Sequence, residues 1–406
     1  MSRLSKRMIL CIQETTMTTK AFYPYAFLLL RKDASRHAVT FLLFFVIVFL
    51  LFSVLFISTS LQHDQLAIAQ NEPEILVENY KGGKKSDIDD FFMQPLYGLK
   101  GVEKIIPRVN GKYYFEQAGV YFTVIGIDFF APNFNEYINQ FTKQKINLAS
   151  KDLFFVGSGV KKSLEHFYYK NNFTVYTQKG EAKRVKIVPL EDKEFRLLGN
   201  NLILCDISLA RELLALETFE YSDVYLSVPN EAEIPNLVAH IRTLHPTAKI
   251  TTKEEKISKI HTLYDTKGGI FLSLFIVVLL SFMILLYQKT LFSFASEKKE
   301  IGILRAVGWK ITDIITLKII QNLFIALSGY FSALLCAYLF VFKLGAPLLQ
   351  NIFVGSDKTL FIPHFTPSFG VGELVIVFLV GVVPFVASVL FPVWKLSVID
   401  PTEVMK

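Results

Sequence analysis

The chain has 406 residues but only three cysteines and two tryptophans, and the common short catalytic motifs are missing. Cys11 precedes the first long apolar run, Cys205 lies in a polar segment and Cys336 lies inside another apolar run. Three such different surroundings predict no intrachain disulfide, so the polar segment must rest on its own core. There is no GxxxxGKS/T loop, which excludes nucleotide hydrolysis of the P-loop kind. There is no GxSxG, HExxH or CxxC either, which removes the commonest hydrolase, metalloprotease and thiol-redox signatures. The histidines are scattered. His240 and His245 are the closest pair, and their spacing does not put both on one helix face, so no metal ligand set is expected.

Charge is also scarce where it would mark ion transport. The long apolar runs hold almost no acids, whereas a proton- or ion-coupled carrier buries carboxylates in its membrane core. Glu373, at the edge of the last run, is the nearest acid and reads as an interfacial carboxylate. Gln321 and Asn322 lie early in the third run, where they either bond to a neighbouring helix or line a route. The net charge of +7 is no sign of nucleic-acid binding, because the basic residues cluster beside the apolar runs and no nucleic-acid motif occurs.

What the sequence does contain is phenylalanine, 38 of them, concentrated in a few long apolar stretches. The pattern predicts an α-helical membrane protein with four transmembrane helices and a large α+β extracytoplasmic domain between helices one and two. The expected layout is an N-terminal segment at 1–37, a first span at 38–61, the domain at 62–267 and a second span at 268–290. A cytoplasmic segment at 291–313, a third span at 314–342, a small outer loop at 343–370, a fourth span at 371–391 and a tail at 392–406 complete it. Arg3, Lys6, Arg7, Lys20, Arg31, Lys32 and Arg36 place the N-terminus in the cytoplasm. The run that follows them is too long for a signal peptide, and Met17 is a second candidate start. Residues 21–30 read as a helix on the membrane surface, interrupted near Pro24. Pro384 is expected to kink the fourth span and Pro392 to end it.

The domain is long enough for two subdomains. Strand signals fall at 74–80, 113–115, 121–127, 152–156, 172–177, 184–188, 202–205 and 223–228. Helix signals fall at 85–96, 160–168, 208–216 and 231–244, and a Lys/Glu-rich helix over 252–267 is expected to run stiffly into the second span. Gly157, Ser158 and Gly159 read as a plain strand-to-helix turn, with an anion cradle as the alternative. Phe91, Phe92, Tyr113, Tyr114, Phe129 and Phe130 are mostly core, with a lipid- or peptide-binding surface as the alternative.

Between the second and third spans lies FASEKKEIGILRAVGW, residues 294–309. Glu297 and Glu300 precede Arg305, which suits the dipole of a short helix, and Ile301, Leu304 and Val307 form one narrow apolar stripe ending at Gly308. Such a segment is shaped as a handle for a soluble partner.

The stretch SEKKEIGILRAVGWKITDI resembles the signature of FtsX-like permeases, the membrane subunits of MacB/LolC-type ABC transporters. The matching positions are Glu300, Ile301, Gly302, Leu304, Arg305, Ala306 and Gly308, led by Glu297, Lys298 and Lys299. The tail PVWKLSVIDPTEVMK is similar to that family's closing motif at Pro392, Asp400, Pro401 and Glu403, and the insert resembles a MacB-like periplasmic core at VYFTVIGID and SDVYLSVPNEAEIPNLVAHI. At 321 this chain has Gln where many such relatives have Glu. The resemblance implies a non-catalytic permease subunit of a type VII ABC system in a bacterial inner membrane, with both termini cytoplasmic. It also implies a separate ATPase chain that holds ATP and magnesium, a coupling helix at 294–309, and a second permease protomer, identical or sibling. No cofactor or metal belongs to this chain in that reading, and its contacts are with membrane lipid and a periplasmic protein, not nucleic acid. Lipoprotein release, efflux, mechanotransmission to a cell-wall hydrolase and help in metal uptake all remain open. A receptor with an outer sensing domain is the alternative from another class; a secondary transporter is disfavoured by the few spans and missing buried charges.

Overall fold

The computed structural model describes residues 31, 34–130, 152–177, 180–190, 199–292, 303, 309–347, 349 and 365–397. In chain order, helix α1 (Ala34–Asn71) leads to strands β1 (Ile75–Lys81) and β2 (Lys84–Ser86), helix α2 (Asp90–Tyr97), and strands β3 (Lys104–Phe115) and β4 (Val120–Ile127). Then come β5 (Leu153–Val156), α3 (Ser158–His166), β6 (Asn172–Tyr176), β7 (Ala182–Pro189), β8 (Leu202–Asp206) and α4 (Ile207–Leu214). The chain continues through β9 (Asp223–Ser227), α5 (Ile234–Leu244), β10 (Ala248–Thr252), α6 (Lys253–Phe292), α7 (Ile311–Tyr338) and α8 (Val371–Ser397). Two compact units result: a helical one drawn from 1–56, 267–341 and 369–406, and a sheet one drawn from 57–266 and 342–368.

Among the described residues, four helices are long and apolar enough to cross a membrane, carried by α1, α6, α7 and α8. Within the helical unit α1 buries a stripe of large side chains at four-residue spacing, Phe44, Val48, Phe52 and Phe56, all fully buried. Phe44 meets Phe385 of α8 at 4.7 Å and Phe282 of α6 at 6.3 Å, and Phe52 meets Tyr330 of α7 edge-on at 5.3 Å. A Cβ at Gly329 would lie 2.8 Å from Phe44, so the missing side chain lets α7 approach α1 closely. Tyr330 donates its hydroxyl to the Leu374 carbonyl at 2.8 Å, tying α7 to α8. Gln321 is buried, whereas Asn322 donates to the Lys318 carbonyl of its own helix at 2.8 Å instead of bonding across to another. Helix α8 runs on to Ser397. The expectation that Pro392 ends this span is therefore corrected: a proline forfeits one backbone bond, and the surrounding turns carry the helix past it.

The sheet unit holds ten strands in the order β10-β1-β9-β3-β4-β8-β5-β7-β6, with β2 added on β1. Among the described strands, β4 with β8 and β5 with β7 run parallel and the other pairs antiparallel, giving the mixed α+β layout. β3 belongs to two halves at once. Lys104–Arg108 pairs with β9, and Val109–Phe115 pairs with β4. On one half β1, β9, β10, α2 and α5 enclose a core including Val77, Met93, Leu96, Leu226 and Ile241. On the other, β3 to β8 with α3 and α4 enclose Val109, Phe122, Phe154, Leu164, Ile203 and Leu209. Gly126 of β4 permits the second packing, since a Cβ there would lie 2.3 Å from the Ala210 Cβ of α4.

Several expected elements change. The helix expected at 85–96 begins only at Asp90, because the Asp89 side chain caps the Phe92 amide at 2.9 Å. Before it, Gly82 and Gly83 adopt φ of 59° and 79° and fold β2 back on β1. The strand expected at 113–115 is the end of a strand that begins at Lys104, and β10 forms where no strand was expected, taking Thr252 from the start of the helix expected over 252–267. Gly157–Gly159 forms a closed turn: Ser158 donates to Asn200 Oδ1 at 3.0 Å, and the Asn200 side chain fills the space beside Gly159.

His245 caps the end of α5 and stacks on Phe92 at 3.8 Å. Burial lowers its pKa, against the Asp89 charge and a bond to the Phe92 backbone carbonyl, which raise it. A folded pKa below the unfolded one means that the neutral ring is favoured by folding. Its contribution is complete above the ordinary histidine value and is lost as pH falls through that value toward the folded one. Melts of the full chain at pH 7.5 and pH 5.5 are expected to show lower stability at the acidic end, and His245→Gln is expected to flatten that slope.

Candidate functional site at the joint of the long helices and the sheet

Helix α6 is unbroken over 40 residues, about 60 Å at 1.5 Å per residue, twice the hydrocarbon thickness of a bilayer. Residues 268–288 carry no charged side chain, while 253–267 carry Lys253, Glu254, Glu255, Lys256, Lys259, Asp265 and Lys267. Helix α1 likewise runs 38 residues to Asn71, ten beyond the expected end of the first span at 61. The segments 57–71 and 253–266 both belong to the sheet unit, and there they are locked together.

The lock begins in the backbone. α1 runs into β1 and β10 runs into α6, and these two strands pair antiparallel with Ile75 opposite Thr252. Lys253 N donates to the Glu74 carbonyl at 2.8 Å, and Val228 N donates to Glu74 Oε2 at 3.0 Å. Thus one residue just past α1 holds the start of α6 and the end of β9. Side chains extend the lock: Lys256 of α6 forms an ion pair with Glu72, and Gln62 of α1 bonds His261 of α6 at 3.2 Å. Asp64 is buried beside this joint and accepts from Thr366 Oγ1 at 2.8 Å, while Ser368 donates to the Thr59 carbonyl at 3.4 Å. The segment leading to α8 is therefore pinned to the same stretch of α1.

From Glu72 a polar chain leads inward. Its carboxylate accepts from the Tyr225 hydroxyl of β9; burial, chiefly, and that bond push the Tyr225 pKa up, with the Arg108 charge acting the other way. Arg108 lies over the Tyr225 ring at 4.1 Å and donates to Asp223 Oδ1 at 2.8 Å. Both partners are buried, with side-chain exposures of 9% and 3%. Lys85 bridges Asp223 at 3.5 Å and Glu78 at 2.9 Å, and Lys249 reaches Glu78 at 3.3 Å. Arg108 and Asp223 stand opposite each other as the last pair of β3 with β9, where β3 turns to β4. Ser222 seals that fork, its backbone amide donating to the Arg108 carbonyl at 2.8 Å and its Oγ accepting from Asn110 N at 3.0 Å. The network thus runs from the stalk helix to the seam between the two halves of the sheet. Among the described residues no cluster of His, Cys, Asp or Glu is arranged to hold a metal.

Of the residues singled out from sequence, Glu297, Lys298, Lys299, Glu300, Ile301, Gly302, Leu304, Arg305, Ala306, Gly308, Asp400, Pro401 and Glu403 lie outside the described residues, as do the surface helix expected at 21–30 and most of the outer loop at 343–370. Pro392 lies within α8. Within the expected handle Ile303 is described and exposed, and after it α7 starts at Ile311 with Asp313 accepting from Lys310 N at 3.1 Å. Glu373 likewise accepts from Gly370 N at 2.7 Å and serves the first turn of α8. Of the six aromatic candidates, Phe92 and Phe129 are buried and Tyr113 packs on the second core, whereas Phe91, Tyr114 and Phe130 are exposed. Sequence reasoning named none of Glu72, Arg108, Asp223 or Tyr225. Their separation in the chain leaves no local signal, although Arg108 and Asp223 are charges inside strand-like stretches.

Residues 271–401 match the model of the FtsX-like permease C-terminal region. No curated protein sequence matches the chain. Among solved structures, the extracellular domain of the noncanonic ABC-type transporter YknZ from Gram-positive bacteria is similar at 12% identity and a TM-score of 0.31, covering 44% of this chain and 99% of that one. The periplasmic region of MacB from Actinobacillus actinomycetemcomitans is similar at 10% identity and a TM-score of 0.33, covering 46% of this chain and 92% of that one.

Proposed function

Starting from a chain whose residues 271–401 carry an FtsX-like permease C-terminal region, we propose that it is the membrane subunit of a type VII ABC transporter and works as a mechanical transmitter. A separate cytoplasmic ATPase, holding ATP and magnesium, binds the segment 294–309 through Glu300 and Arg305 and the residues around them. Closure of that ATPase moves the spans, and the motion reaches an extracytoplasmic sheet domain through α1 and α6. Two permease protomers work as a pair in a bacterial inner membrane, with their termini in the cytoplasm. The chain itself performs no reaction.

The observation that carries this reading is the continuity of α6 from Lys253 to Phe292, with its Lys256 fastened to Glu72 at the end of α1. An unbroken helix passes displacement along its axis, whereas a flexible linker would absorb it. Few charged side chains interrupt the apolar stretches, which favours motion over passage of a polar cargo through the membrane.

The test is the double substitution Glu300→Ala with Arg305→Ala. Stimulation of the partner ATPase and co-purification with it are both expected to fall by about tenfold or more, the loss of one central charged contact. If both stay at the wild-type level, the segment does not couple the two proteins.

A further inference from the structure

The outer arc of α2 is aromatic. Phe91, Gln94 and Tyr97 follow one another at three-residue spacing on the side of the helix opposite its buried Phe92, Met93 and Leu96. Phe91 is 83% exposed and Tyr97 60%. Ile88, just ahead of α2, pairs with Tyr221 through bonds of 2.6 and 2.9 Å, which brings the loop before β9 alongside the helix. That loop presents Phe219, 65% exposed. Three large aromatics are thus open to solvent on two adjoining segments whose other apolar residues are well packed.

The rim of this patch is acidic. Asp87, Asp89 and Asp90 lie at the start of α2, and Glu217 and Glu220 lie on the loop. The Asp87 carboxyl is pushed up by burial and by the Glu220 charge, with Lys85 opposing, so negative charge is crowded there. Tyr97 is pushed up by burial, by Tyr221 and by Asp90. Of the cations on these segments, Lys85 pairs with Glu78 and Asp223, and Arg211 lies over the Tyr221 ring at 4.7 Å and donates to the Glu220 carbonyl, while Lys100 follows α2 as one exposed cation against the five acids. Anchoring aromatics inside a ring of one charge is the anatomy of a protein contact whose partner carries the opposite sign.

We infer that the patch formed by Phe91, Tyr97 and Phe219 is a docking surface for a segment of another protein in which lysine or arginine flanks aliphatic side chains. The aliphatic groups cover the rings, and the cations settle on Asp87, Asp90, Glu217 and Glu220. A bilayer surface is the competing occupant. It fits less well, because anionic headgroups would be repelled by this rim.

The experiment places the photoreactive residue p-benzoylphenylalanine at 91, 97 or 219 in the full chain in living cells, with position 168 as the control. Tyr168 is 91% exposed but stands past α3, on the other half of the sheet. Expected is a protein adduct at the three patch positions and not at 168, mapped to a segment with Lys or Arg beside Leu, Ile or Val. Adding Asp87→Asn, Asp90→Asn, Glu217→Gln and Glu220→Gln is expected to lower its yield about tenfold, the combined weight of several rim charges. An adduct with lipid alone, one mapped to an acidic or uncharged segment, one that survives the four substitutions, or none at any patch position would overturn the proposal. The ATPase response of the same variants reads the coupling function separately, so failure of one leaves the other intact.

Discussion

Asp223→Ala is expected to lower the stability of the sheet unit by about 3 kcal/mol, the cost of removing one partner of a buried ion pair. Arg108 cannot discharge to escape, since a guanidinium stays protonated at any pH the protein meets. Nor can it turn to water without giving up its place over Tyr225, at 4.1 Å, in a site where its side chain is 9% exposed. Lys85 does not remedy the loss, because it adds a second cation to the same spot. The damage falls at the fork where β3 leaves β9 for β4, so the two halves of the sheet lose their common strand together. Thermal unfolding of the detergent-purified chain, followed by near-UV circular dichroism, is the measurement. Replacing both partners with apolar residues, Arg108→Met with Asp223→Leu, is expected to recover most of the loss, because a missing pair costs far less than an orphaned charge. If the double variant were as unstable as the single one, the pair would be needed for more than mutual compensation.

The second large effect is expected from Thr262→Pro in the stalk part of α6. The position is exposed, and its hydroxyl bonds only the Ser258 carbonyl one turn back, so no packing is lost. Proline there removes the amide bond to residue 258 and crowds that carbonyl, at about 3 kcal/mol or more for an interior position. The break falls between the Lys256–Glu72 lock and the apolar stretch that starts at Gly268. Folding of the sheet and assembly with the ATPase should survive, while the response of the sheet domain to nucleotide, read by limited proteolysis with and without ATP, should vanish. Thr262→Ala keeps the helix and should behave as wild type. A proline variant that responds normally would show that α6 is not the path.

Much of this architecture was legible because apolar length and strand alternation are local signals. The four long helices and the strands from β4 to β9 follow from runs that any window of the sequence displays. What escaped was set by distant neighbours. The first half of β3 contains Pro107, a residue that argues against a central strand, yet it pairs with Val224 of β9. β2 is Lys-Lys-Ser and β10 is a five-residue stretch with three polar residues, both too short and polar to stand out, and both pair with β1. Asp64 lay outside the first span as expected from composition, because the apolar run fades near Leu61 while the helix does not. The joint joins residues as far apart as 309 positions, from Thr59 to Ser368, and no spacing rule reaches that far. The handle and the tail, by contrast, were legible only as motifs, and their residues are the ones on which the Glu300 and Arg305 test bears.

Because Ile75 and Thr252 face each other as strand partners, the polypeptide leaves α1 and returns to α6 through a doorway about 5 Å wide. Everything between is a closed excursion hung on one antiparallel strand pair. Mutation and selection can lengthen, shorten or replace that excursion without altering the spacing of the two helices that carry it. The sheet can thus be rebuilt as a unit while the ends of α1 and α6 keep their spacing.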